Sequence, residues 1–401
     1  MYRNFVPKEP PILADPKEEL LASLTRINTF NPPVQTCSTG WRFSGLYSGP
    51  TSVAYLFYRL AQLYPDLTFK SQSLSDWAAS YLELGSSYIT SGRHGREPVD
   101  PDHCGVANET LSQLAVRAAL LEDASLAQQL CSYSTAINAQ PNGSDEWLYG
   151  RAGYLYLLRL VRFAFPASSH SSLIDTISKT IATTITRILA SPQPWIWHGK
   201  PYIGAVHGSI GIITQILLSS ATPNQHAEQL GSRIHAILDL QLESGNFPSS
   251  SLPEKTTSDR LVQFCHGAPG IVISLTSLAP YYPSATSDLS TRIEQAISSA
   301  QPVLEARGLL TKPPCLCHGI ASNAMALASD DDNRFLEFLS HMGSDLLEAR
   351  MSWMAEAGRN DAFVGLYAGE AGRAWMWGMA DQARNHGRAR QEVGLIGYND
   401  I

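Results

Sequence analysis

The sequence predicts an all-α fold in which seven outer and seven inner helices pair off and close into a ring. Three observations carry that reading. A glycine, two residues and a second small residue recur seven times along the chain. Each copy opens an apolar stretch and follows a more polar one with helical spacing. No segment keeps a period-two alternation for long, so strands should be minor.

The recurring element reads Gly49-Pro-Thr-Ser52, Gly105-Val-Ala-Asn108, Gly150-Arg-Ala-Gly153, Gly208-Ser-Ile-Gly211, Gly267-Ala-Pro-Gly270, Gly319-Ile-Ala-Ser322 and Gly369-Glu-Ala-Gly372. Steps between first glycines are 56, 45, 58, 59, 52 and 50 residues. That length holds two helices of about 15 residues and their connections. The inner helices follow the motifs, as in SVAYLFYRLAQLY, YLYLLRLVRFAF and RAWMWGMADQA, and are apolar on most sides, as buried helices are. The outer helices fall at 18–27, 73–84, 125–137, 172–189, 225–241, 289–304 and 333–354, where apolar residues recur three and four apart.

An open array of helix pairs needs polar caps at its ends. Here both terminal repeats carry apolar inner helices, which favours closure. Glycine lets the inner-helix N-termini crowd at one mouth, where free N–H groups and positive dipole ends collect. The expected organisation is a single domain over 1–401 with a repeat core of about 40–385.

Composition agrees with one large core. Hydrophobic residues make up 44% of the 401 and charged residues only 16%. The net charge is −7 and no lysine/arginine cluster stands out, which argues against nucleic acid as a partner. Six cysteines are few for this length, and the first 17 residues contain no apolar signal core. Reduced thiols in the cytoplasm are therefore expected. No run of about 18 apolar residues is present, so no transmembrane segment is expected, and the Met-Tyr start carries no myristoylation signal.

The tripeptide Cys-His-Gly occurs twice in register, at Cys265-His266-Gly267 and Cys317-His318-Gly319. Two thiolates and one neutral imidazole suit zinc, and three protein ligands leave a fourth position for substrate. The competing reading is a pair of buried cysteines in homologous turns. Cys315 has no equivalent in the neighbouring repeat and is expected to be a spectator; His266 is expected to fix its turn. His207 also stands one residue before its motif glycine, as a general acid/base facing the metal or as a hydrogen-bonded structural histidine.

These motifs resemble the lanthionine synthetase C-like family, especially its eukaryotic, glutathione-binding branch. The resembling segments are Asp145-Glu-Trp-Leu-Tyr-Gly-Arg-Ala-Gly153, Tyr202-Ile-Gly-Ala-Val-His-Gly208, Phe264-Cys-His-Gly-Ala-Pro-Gly270, and Gly308-Leu-Leu-Thr-Lys312 leading into Cys317-His-Gly319. The resemblance implies an α/α toroid of seven helix pairs, with one Zn2+ on Cys265, Cys317 and His318. It implies addition of a thiol, here glutathione, to dehydroalanine or dehydrobutyrine in peptides or proteins. His207 matches the family's acid/base histidine. Asp145 and Glu146 compete for an acidic role beside it, with Glu146 preferred on register; a helix N-terminal cap is the alternative for either. Arg260 stands five residues before Cys265, where bacterial members have an arginine four before. Lys312 matches a glutathione-contacting lysine, and Arg3 an N-terminal basic position.

The chain departs from the family pattern at three places. Ser322 replaces a glycine, and Ala362 and Ala368 stand where an arginine and a glutamate are usual. Two other functions therefore compete with thiol addition to peptides. One is a zinc- and glutathione-binding protein without catalysis; the other is thiol addition to a small electrophile. No dehydratase pattern is read in these residues, so the acceptor is expected to be a damaged protein, the product of a partner enzyme or a ready-made electrophile.

Overall fold

A computed structural model describes residues 4–34, 41–90, 98–140, 142–253, 257–283, 288–328, 332–346 and 364–401. Arg3 and Ala362 lie outside these residues, as does the end of the helix expected over 333–354.

Helices dominate. The chain begins with α1 (Pro16–Phe30), α2 (Pro50–Leu63), a two-residue hairpin of β1 (Thr68–Phe69) and β2 (Gln72–Ser73), α3 (Leu74–Thr90) and α4 (Glu109–Leu121). It continues through α5 (Ala124–Ser132), α6 (Ser134–Asn138), α7 (Arg151–Ala164), α8 (Ser171–Leu189), α9 (Ser209–Ser219) and α10 (Pro223–Leu238). It then runs through α11 (Ala268–Leu278), α12 (Asp288–Arg307), α13 (Ile320–Met325), α14 (Asp332–Ser340), α15 (Glu370–His386) and α16 (Arg390–Val393).

The helices expected to be inner are α2, α4, α7, α9, α11, α13 and α15, and they touch in that order, with α15 touching α2 again. Each also packs on the outer helix that follows it, except α15, whose outer partner is α1 from the other end of the chain. Arg373 on α15 is fully buried and ties this pairing. It donates to Glu370 at 2.7 Å, to Ser23 at 2.8 Å and to Glu19 at 2.5 Å. Arg26 on α1 returns a bond to Glu370 at 2.8 Å. A buried charge with this many partners is held, whereas the loss of one partner strands the rest.

Six of the seven inner helices have a glycine N-cap: Gly49, Gly150, Gly208, Gly267, Gly319 and Gly369. The second repeat differs from the expected register. Its helix starts after Asn108, whose side chain accepts the Leu111 N–H at 2.9 Å, rather than after Gly105. Gly105 serves another purpose: a Cβ there would meet the Leu148 carbonyl at 2.4 Å, so glycine permits the close approach of neighbouring loops. Differences also occur in the helix expected over 125–137, which breaks at Tyr133, and in α14, which ends at Ser340.

Residues 394–401 have no counterpart in the sequence reading. They run among the inner helices and take hydrogen bonds from several of them and from the loops before α7 and α15. Arg159 donates to the Tyr398 carbonyl at 2.8 Å, Tyr367 to Ile396 at 2.7 Å and Trp147 to Gly397 at 3.2 Å. The Asp400 carboxylate accepts from Tyr156 at 2.7 Å and Tyr55 at 3.0 Å, and is ion-paired with Arg59 at 3.1 Å. The middle of the helix assembly is thus filled by polar backbone that the surrounding side chains satisfy.

Candidate functional site

The loops before the inner helices are laced together by backbone hydrogen bonds. Leu46 donates to Val106 at 2.8 Å, and Trp147 to Val206 at 3.1 Å. Cys265 donates to Cys317 at 3.1 Å, Cys317 to Tyr367 at 2.9 Å, and Tyr367 to Tyr47 at 3.0 Å. Counted from the N-caps, the position two residues earlier holds Tyr47, Val106, Leu148, Val206, Cys265, Cys317 and Tyr367. The next position holds Ser48, Ala107, Tyr149, His207, His266, His318 and Ala368. The two cysteines therefore occupy equivalent corners of adjacent repeats, and three histidines follow one another around the same rim.

The Cys265 and Cys317 thiols are buried on loops joined by the Cys265 N–H to Cys317 carbonyl bond, close enough to shift each other's titration, and His318 acts on Cys317 in the same way. The contact with Cys317 holds the Cys265 thiol below its ordinary range, against the effect of burial. Cys317 is raised, by the same contact and by burial. Cys315 is fully buried, and burial first, then Cys317, pushes it up to about 12. Among the described residues no three His, Cys, Asp or Glu side chains are grouped in ligand geometry. The zinc reading therefore rests on the donor set, two facing sulphurs with an imidazole against one of them, which is the soft N/S chemistry zinc takes.

His207 stands on the neighbouring rim position. Its ring centroid is 6.1 Å from that of His266, and its Nδ1 lies 3.0 Å from Glu146 Oε2. Glu146 is buried and fixed by the backbone N–H groups of Leu148 at 2.8 Å and Tyr149 at 2.5 Å. Asp145 turns away to Arg151, at 2.8 Å. Burial raises the Asp145 carboxyl, with Ser191 and Arg151 pulling it back. The two acids thus separate, Glu146 onto the histidine and Asp145 into a structural pair. His266 is pushed down to about 4 by burial, then by His207 and Lys312, so it is a neutral imidazole at pH 7.

The profile of the lanthionine synthetase C-like proteins matches residues 40–377. The chain belongs to the lanthionine synthetase C-like family. A glutathione S-transferase LANCL1 from Danio rerio is 27% identical over 292 residues, covering 69% of this chain and 67% of its own length. The LanC-like protein GCL1 from Arabidopsis thaliana is 28% identical over 248 residues, covering 58% of this chain and 54% of its own length. This lanthionine synthetase C-like chain thus spans about half of the plant relative it matches.

Of the basic residues singled out in the sequence, Lys312 reaches the Cys265 loop, where its Nζ donates to Gln263 Oε1 at 2.5 Å. Arg260 is exposed, and among the described residues no hydrogen bond ties it to Cys265 or His207. Arg3 lies outside the described residues; Asn4 after it pairs antiparallel with Leu310, two residues before Lys312. Among the departures, Ser322 is fully buried on α13, and Ala368 is half-buried beside Gly369.

Three site residues escaped the sequence reading. Tyr47 lies near the Cys317 sulphur, and burial, then Cys317, raises its hydroxyl. Gln263 donates to Cys265 Sγ at 2.9 Å. Trp197 lies parallel to His207 at 5.8 Å and to Tyr149 at 5.5 Å. A cavity of about 310 Å³ opens beside this stack, lined by Glu146, Asp145, Trp195, Trp197 and His207. A larger cavity, about 790 Å³, lies near the C-terminal ends of α9 and α11 and is lined by none of the predicted site residues. Size alone does not choose between them: Asp145, Glu146 and His207 line the smaller cavity, and no cysteine lines either.

Proposed function

We propose that this chain is an α/α toroid of seven helix pairs that adds a thiol, with glutathione as first candidate, to dehydroalanine or dehydrobutyrine residues of peptides or proteins. The observation that carries this reading is the pair of facing sulphurs, Cys265 and Cys317, with the His207–Glu146 pair on the adjoining rim. The Danio rerio relative, named a glutathione S-transferase, supports the thiol. Cys265, Cys317 and His318 would hold the zinc, which when bound supplies the Lewis acidity that turns a thiol into a thiolate at neutral pH.

This chain's own groups account for the remaining steps. The substrate sulphur forms a bond to the β-carbon, and the C=C electrons move toward the α-carbon and carbonyl. His207 takes the thiol proton and returns it to the α-carbon, so S–H adds across the double bond with nothing left over. Glu146 holds the ring through Nδ1, leaves Nε2 for that proton and stabilises the charged imidazole. Lys312 supplies a cation for a glutathione carboxylate. Beside His207, Trp197 and Trp195 wall the cavity where the acceptor would lie.

The half-buried Ala368, at a position where the family resemblance leads one to expect glutamate, favours a second reading in which zinc and glutathione bind without turnover. The test is mass spectrometry of zinc-loaded protein with glutathione and a panel of dehydropeptides and small enones. The thioether mass on dehydropeptides is expected. Adducts only on enones would shift the function to small electrophiles, and no adduct anywhere would leave the binding role.

A further inference from the structure

Gln263 sits between the lysine and the first cysteine of the site and has no role in the chemistry described so far. The residue is 6% exposed. Its backbone is clamped in a turn with His266, with bonds of 3.1 Å and 3.2 Å in the two directions. Its Oε1 accepts from Lys312 Nζ at 2.5 Å, and its Nε2 donates to Cys265 Sγ at 2.9 Å. The orientation of an amide is normally ambiguous between oxygen and nitrogen. Here Lys312 decides it: an ammonium has three donors and no acceptor, so the oxygen must face the lysine and the N–H must face the sulphur. The charge on Lys312 also polarises the amide and strengthens its far-side N–H.

A protein sulphur beside an electrophilic alkene faces a chemical conflict. The cysteine thiolate that holds a metal is itself a nucleophile, and the acceptor would alkylate it in competition with the substrate thiol. A hydrogen bond to sulphur draws on the lone pairs without removing the atom as a metal ligand. We propose that Gln263, braced by Lys312, is a positioning residue that keeps the Cys265 sulphur from reacting with the acceptor while leaving it free to bind metal. This rests on the reading of Cys265 as a zinc ligand in thiol addition. It assigns Lys312 a second task, orienting Gln263, beside its expected contact with glutathione.

The test compares wild type with Gln263→Met, which keeps the length of the side chain and removes the donor, and with Lys312→Met, which frees the amide to turn. Zinc content is measured on each protein. Iodoacetamide labelling is then followed by peptide mapping, with Cys317, which retains Tyr47 beside it, as the internal reference. The expected result is stoichiometric zinc and a Cys265/Cys317 labelling ratio raised about tenfold in Gln263→Met, the size of one lost hydrogen bond to a charged group. A smaller rise in the same direction is expected in Lys312→Met. An unchanged ratio in both variants, or an equal rise at both cysteines from general loosening, overturns the proposal. Should Gln263→Met not fold, the Lys312→Met ratio alone decides between the same outcomes. A wild type that holds no zinc removes the underlying reading instead, which the metal measurement reports separately.

Discussion

At the scale of single residues, neighbours in sequence have parted in role. Asp145 and Glu146 are adjacent acids, yet one pairs with the fully buried Arg151 and the other holds His207. The difference gives a paired prediction. Asp145→Asn leaves Arg151 charged and short of its partner, which costs about 3–5 kcal/mol. Its melting temperature should fall while turnover of the folded fraction persists. Glu146→Gln should keep the melting temperature and lower kcat by roughly 10²-fold, a typical cost for a disabled acid/base pair. Thermal unfolding and steady-state kinetics on the same two proteins check both halves, and the reverse pattern would exchange the roles. The cysteine corners and His207 were legible because each stands just ahead of a motif glycine. Gln263 and Tyr47 were not, since an amide and a phenol acquire meaning only from the sulphurs they face, and facing is a property of the folded chain.

At the scale of the element, the helix starts do more than begin helices. Gly267 caps α11 at φ 109° and ψ −171°, a region open to glycine almost alone. A Cβ there would also lie 2.1 Å from the Leu261 carbonyl. Gly267→Ala is therefore expected to cost at least about 1–3 kcal/mol from the backbone alone and to shift the loop that carries Cys265 and His266. Denaturant unfolding should register a loss of that size; an unchanged midpoint would mean that the loop adjusts freely. The helical character and the inner-helix starts were readable because the apolar stretches are long and the glycines regular. The register of the second repeat was misread because Asn108 caps as well as glycine does, and Gly105 is there for loop contact instead. The break at Tyr133 carried no glycine or proline to announce it.

At the scale of the whole molecule, contacts between distant parts of the chain matter most. α1 completes the last helix pair through Arg373, Glu370, Glu19 and Arg26, and residues 394–401 occupy the middle. Neither was legible in the sequence, because a buried arginine and a short polar segment look like surface until their partners are known. Asp400→Ala strands Arg59, Tyr55 and Tyr156 in the interior, with an expected loss of about 3–5 kcal/mol. Calorimetry tests this; a melting temperature equal to wild type would make the segment a passenger. The two cysteine loops depend on the same assembly, since Cys317 donates to Tyr367 and Tyr367 in turn holds Ile396.

The most direct measurement of the central claim is the rate at which glutathione adds to a dehydroalanine peptide, compared between wild type and His207→Ala at equal zinc content. Thioether formation by wild type, with a loss of roughly 10²–10⁴-fold in the variant, is the predicted result. Equal rates in the two proteins, or no thioether from zinc-replete wild type, would contradict it.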